Sequence, residues 1–170
     1  MEIAAKREPW SRFAFKALVV GCAIIASFMW LESRFRIGID GQAIRCLPDH
    51  KYYLVDMARI VTDRDAIVAY RSEGLDPYFE DGTMMAKIIK GKPGDHLVVD
   101  AEGVQINGEV VATGFALSER LGVDHSELYK NESIPAGHYL LLAPAPESFD
   151  GRYWGYVKEE QLIGKVIPLI

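Results

Sequence analysis

The apolar positions fall into two regimes along the chain. Residues 13–31 read FAFKALVVGCAIIASFMWL, an apolar stretch whose one charge, Lys16, lies near its start. A helix of that length rises about 28 Å, close to the ~30 Å hydrocarbon core of a bilayer. Lys16 can snorkel toward the nearer interface, and Trp10 and Trp30 fall where interfacial aromatics belong. After residue 31 the apolar runs become short. Those at 52–55, 67–70, 84–89, 97–99, 104–106, 139–142 and 162–167 are rich in Val, Ile and Tyr, which predicts strands. Asn107-Gly108 lies between Val104-Gln105-Ile106 and Glu109-Val110-Val111. It predicts a hairpin, because a two-residue type I′ turn needs positive φ at both positions. Gly91-Lys92-Pro93-Gly94-Asp95 predicts a turn between two strands. The stretches 63–66 and 118–130 are polar, the second with room for a helical turn. The expected organisation is an N-terminal segment over 1–12, a transmembrane helix over 13–31 and a mainly β domain over 32–170. That domain should be a small antiparallel barrel or sandwich.

The charges give the anchor a direction. Lys6, Arg7, Arg12 and Lys16 precede or open the apolar run, while Arg34 and Arg36 follow it beside Glu32. This bias modestly favours a cytoplasmic N-terminus. An uncleaved anchor fits better than a cleaved signal peptide, since the run is long and no clear small-x-small site closes it. Val19-Val20-Gly21-Cys22 has the look of a lipobox, but the sequence stays apolar through Ala23-Ile24-Ile25-Ala26. On each reading residues 34–170 lie outside the cytoplasm.

Net charge narrows the functions open to that outer part. The whole chain carries −5, but the part after residue 31 holds fifteen basic and twenty-two acidic residues, a net of −7. An acidic domain is a poor nucleic-acid binder, because phosphates need a basic face. There is no Cys-x-x-Cys, no His-x-x-x-His and no other metal-ligand spacing, so no metal or cofactor is implied.

Cys46 is the first chemically unusual position. The other cysteine, Cys22, lies inside the predicted membrane helix, so a disulfide between the two is not expected. A thiol outside a disulfide in an oxidising compartment flags reactivity or intermolecular pairing. Taken alone, a small buried apolar residue is the plainer reading of such a cysteine.

Three stretches in order change that balance. Cys46-Leu47-Pro48 follows the membrane span. Then comes Met84-Met85-Ala86-Lys87-Ile88-Ile89-Lys90-Gly91-Lys92-Pro93-Gly94-Asp95, followed by Gly103-Val104-Gln105-Ile106-Asn107-Gly108. Last is Ser148-Phe149-Asp150-Gly151-Arg152-Tyr153-Trp154-Gly155. Over residues ~13–170 the chain resembles the bacterial type I signal peptidases. It resembles more closely the TraF-type peptidases of conjugative transfer systems, which mature pilin subunits. That family has Ser-x-Pro for the nucleophile, Lys-Arg-x-x-Gly-x-Pro-Gly-Asp for the general base, and Ser-x-Asp-x-Arg-Tyr-x-Gly. The resemblance implies a signal-peptidase-like β domain held in the periplasm by one pass through the bacterial inner membrane. Its substrate would be a pilin or other translocated precursor peptide.

Carried over by position, Lys87 matches the catalytic lysine, and Asp150 and Arg152 match residues that support the site. Cys46 stands where the family has serine. A thiol is more acidic than an alcohol and needs less help as a nucleophile. Ile44 stands where a hydroxyl residue often helps hold the oxyanion. Isoleucine cannot donate that bond, which leaves backbone N–H groups, that of Cys46 among them. Lys87 must be uncharged to accept a proton, and an apolar pocket disfavours a charged amine. On a strand it would share a face with Met85 and Ile89. A thiolate–ammonium pair is the alternative ground state. Asp150 and Arg152 would form a network that orients Lys87 or the substrate-binding strand, rather than an ordinary surface ion pair. Asp95 reads as a turn-former.

Two other candidates are weaker. Ser133-Ile134-Pro135 spells Ser-x-Pro, but follows Lys87 and reads as a turn entering a strand. His50 lies four residues after Cys46 and would make a Cys–His dyad. Rival functions are general leader-peptide removal and a non-catalytic subunit of an envelope machine.

Overall fold

The computed structural model describes residues 9–41, 45–47 and 50–169. Ile44, Pro48 and the N-terminal residues Lys6 and Arg7 lie outside the described residues. The chain divides into two units, residues 1–35 and 36–170.

The first unit is the helix α1, Trp10–Arg34, with mean hydropathy 2.0 over its most apolar window and no buried residue. Among the described residues it is the one helix long and apolar enough to cross a membrane. It runs past both ends of the expected 13–31 span. Pro9 precedes it, a residue that needs no N–H partner at a helix start. Polar side chains at 11–12 and 32–34 extend it without a cost in burial. At about 37 Å it exceeds the hydrocarbon core and carries both tryptophans toward the interfaces. Ser27 Oγ donates to the carbonyl of Ala23, and Ser33 Oγ to that of Trp30. Neither hydroxyl therefore needs water.

The second unit is mainly β. Its strands are β1 Phe35–Ile39, β2 Tyr52–Asp56, β3 Ile67–Arg71, β4 Met84–Gly91, β5 His96–Asp100 and β6 Gly103–Ile106. They continue with β7 Glu109–Thr113, β8 Lys130–Ser133, β9 His138–Leu142, β10 Tyr156–Lys158 and β11 Leu162–Pro168. One sheet has the order β1-β2-β11-β3-β4-β9-β10 and the other β7-β6-β5-β8. The pairings from β2 to β11 are antiparallel. Short helices α2, Ser118–Leu121, and α3, Gly151–Trp154, fill two of the connections.

All seven runs read as strands from their apolar content lie in strands. The four additional strands, β1, β7, β8 and β10, are the four sheet edges. Edge strands bury little, so their sequences need carry no long apolar run: all four side chains of β8 are exposed, and β7 is announced by the hairpin turn before it. The hairpin turn at Asn107 and Gly108 has φ of 53° and 84°, as its type requires.

The interior follows the two-residue period of the strands. On β9, Tyr139 and Leu141 pack with Val68, Tyr70 and Ile89, while Leu140 and Leu142 pack with Leu97, Val104 and Ile106 of the smaller sheet. A third cluster joins Leu47, Tyr53, Val55, Ala69 and Val166. Asp95 holds the turn before β5: it accepts from the backbone N–H of Lys92, from Asn107 and from Arg64. Burial opposes its charge, but the Asn107, Lys92 and Arg64 contacts outweigh that and hold the carboxyl below its ordinary value. The stabilisation it gives is present above the ordinary carboxylate range and is lost as pH falls through the lowered value.

Candidate active site

Lys87 sits in the middle of β4, paired with Val68 of β3. The strand period turns its side chain to the face that also carries Met85 and Ile89, toward the cluster of Val68 and Tyr70. The residue is 2% exposed. Its Nζ donates to Ser148 Oγ at 2.7 Å. No carboxylate lies within ion-pair distance of it among the described residues.

Ser148 is itself 1% exposed. Its hydroxyl donates onward to Cys46 Sγ at 3.5 Å. The amine and the thiol are thus joined through one hydroxyl. Cys46, half-buried, and Lys87 line one cavity of about 260 Å³ with the apolar side chains of Leu47, Val55, Met85 and Ala86. The amine of Lys87 is the more buried of the two and the sulfur the more exposed. The segment bearing Cys46 is pinned from below. Leu47 is buried in the third cluster, and the Tyr53 hydroxyl donates to the carbonyls of Leu47 and His50. Tyr70 packs under the site, with its hydroxyl 3.6 Å from Met85 Sδ. Burial first, then the nearby Asp150 and Cys46, push its phenol well above the ordinary range, so it stays protonated.

Asp150 and Arg152 are brought together, but not onto Lys87. Asp150 caps α3 by accepting from the N–H of Arg152, and its other oxygen accepts from the N–H of Ala143 at 3.1 Å. Arg152 grips the carboxylate through Nε and Nη2, each at 2.9 Å, and Nη2 also donates to the carbonyl of Ala145. That carbonyl accepts the N–H of Ser148 as well. The pair therefore closes the loop from Ala143 to Arg152 and sets where Ser148 points. The pair reaches Lys87 through Ser148 rather than by a bond of its own. Burial opposes the charge of Arg152, and the bonds and field of Asp150 more than restore it, so the guanidinium is held above its usual value. Removing one partner leaves a dehydrated charge. Arg152→Met is expected to destabilise the domain by about 3–5 kcal/mol, read by chemical denaturation in detergent.

The remaining sequence candidates lie apart. Ser133 is exposed on β8, paired with His96 in the smaller sheet. The ring of His50 stands against Tyr53, with centroids 6.3 Å apart. Ser148 is the residue that the sequence reading passed over. It opens the third motif, two residues before Asp150, and that place is the signal that points to it. Ser148→Ala should lower kcat for any reaction at this site about 10–100-fold with little change in KM. The lost bond links Lys87 to Cys46 and would align them for reaction rather than hold a substrate.

The family described as signal peptidase, peptidase S26 matches residues 10–170. A curated relative, "Probable signal peptidase I-2" of Synechocystis sp., is 30% identical over 80 residues, which are 46% of this chain. The match spans 34% of that relative's length. The crystal structure of a signal peptidase I from Enterococcus faecalis V583 is 25% identical, with a TM-score of 0.41, covering 63% of this chain and 97% of that one.

Proposed function

The chain belongs to the signal peptidase, peptidase S26 family, and from that premise we propose that it is a membrane-anchored endopeptidase that removes leader segments from translocated precursors through Cys46 and Lys87. The observation that carries this reading is the bridge from Lys87 Nζ through Ser148 Oγ to Cys46 Sγ.

Lys87 is the general base of this reading: its Nζ is buried and one hydroxyl away from the sulfur. With the Ser148 hydroxyl turned toward Nζ, the thiol donates to Oγ and Oγ donates to the amine, so the proton passes from sulfur to nitrogen; the bonds then run from Nζ through Oγ to Sγ. The sulfur attacks the scissile carbonyl carbon, and backbone N–H groups near Cys46 hold the oxyanion. As the C–N bond breaks, Lys87 returns the proton to the leaving amine, and a thioester remains. Water then adds with Lys87 as base, releasing the acid and restoring the thiol. A substrate amine in place of water would instead form a new peptide bond.

The substrate lies along the site as an added strand, with small side chains before the cut. The helix α1 holds the domain at the outer face of the bacterial inner membrane, in the periplasm. The TraF-type order of motifs makes a pilin precursor of a conjugative type IV secretion system the preferred substrate. Co-expression with such a precursor tests this: mature pilin should accumulate with the wild type, and unprocessed pilin with Cys46→Ala. Equal processing by both would end the proposal.

A further inference from the structure

A second cavity, of about 320 Å³, lies beside the one that holds Cys46. Tyr78, Phe149, Tyr153 and Trp154 wall it. Phe149 is the centre of the ring contacts, 5.3 Å from Tyr78 and 6.1 Å from Tyr153. Glu73 and Asp76 also line the cavity, and no lysine, arginine or histidine does. The loop over 72–81 that forms its rim carries four carboxylates and no basic residue. Two of the four are engaged: Glu73 faces Lys158 at 3.3 Å, and Asp81 accepts from the N–H of Gly74. Asp76 is exposed and makes no hydrogen bond or ion pair among the described residues.

Aromatic faces present negative potential to a cation, and an exposed carboxylate at the rim adds a full charge. The chemistry that such a cavity selects is an alkylammonium or guanidinium group on an apolar stem. Its position says where that group comes from. Phe149 directly follows Ser148, which bonds to Lys87. Phe79 lines the Cys46 cavity and stacks on Phe149, with centroids 5.9 Å apart. One pair of rings therefore separates the two cavities.

We propose that the aromatic cavity binds a lysine or arginine side chain of the same precursor peptide that is cut at Cys46. A basic residue at one fixed distance from the scissile bond is then a determinant of substrate choice. The inference rests on the peptidase reading for the identity of the peptide.

The test is binding, so that it does not depend on turnover. The full chain is held in detergent with Cys46→Ala. Trp10→Phe and Trp30→Phe leave Trp154 as the one tryptophan. Its emission is followed on titration with synthetic precursor peptides in which a single lysine is moved along the sequence. Each peptide is paired with its norleucine counterpart. In one register the lysine peptide should bind about tenfold tighter than its counterpart, and Asp76→Asn should bring that ratio close to one. Equal affinities in every register, or a ratio untouched by Asp76→Asn, would overturn the proposal. So would a Trp154 response to phosphatidylethanolamine micelles and to none of the peptides. If wild-type protein cleaved no precursor, the peptidase reading would fall while the titration still decided the cavity.

Discussion

Lys87→Met should lower precursor cleavage by about 10²–10⁴-fold, the range expected when a positioned general base is lost. Methionine suits the test because it is unbranched, apolar and close to lysine in length. The position is 2% exposed and faces Val68, Tyr70 and Ile89, so an apolar side chain there meets apolar neighbours. Ser148 loses the Nζ but keeps its contact with Cys46 Sγ. Thermal unfolding should therefore change little while single-turnover cleavage collapses. Lys87→Arg should not rescue activity, because a guanidinium stays charged and cannot accept the proton.

Cys46→Ala should remove cleavage altogether, and Cys46→Ser should retain part of it. The two differ in whether any atom is present to attack the carbonyl. Cys46 is half-buried at the mouth of its cavity, so neither change disturbs the core. Mass spectrometry of a quenched reaction adds a second readout. The wild type should show a peptide attached through a thioester that hydroxylamine releases, and Cys46→Ala should show none. The serine variant would form an ester, with slower attack, since an alcohol gives up its proton less readily than a thiol.

The β core was legible because buried strands write themselves as apolar runs. β3, β4, β9 and β11 are flanked on both sides within their sheet, and each had been read from its Val, Ile, Leu and Tyr content. Of the edges, β7 is legible from the Asn107-Gly108 hairpin, while β1, β8 and β10 are not: Lys130-Asn131-Glu132-Ser133 owes its strand state to pairing with β5 and to nothing in its own composition. At the site, Lys87 was legible from its apolar flanks on a strand, and Cys46 from its place in an ordered set of motifs. The bond from Lys87 to Ser148 joins residues 61 apart in sequence. That from Ser148 to Cys46 joins residues 102 apart. No local pattern reports such contacts. The Asp150–Arg152 pair is legible from its spacing, but the route by which it reaches Lys87, through Ser148, is not. Spacing alone does not say that both side chains turn back onto the carbonyl of Ala145 and the N–H of Ala143.

The central claim is that the sulfur of Cys46 and the nitrogen of Lys87 act as one unit through the hydroxyl of Ser148. The rate of Cys46 alkylation by iodoacetamide against pH tests it directly, in a Cys22→Ala background where Cys46 is the sole thiol. The wild type should react readily near neutral pH, and Lys87→Met should react far more slowly there and recover only in alkali. Superimposable profiles for the two proteins would show that the thiol does not sense the amine, and the proposed chemistry would have no base.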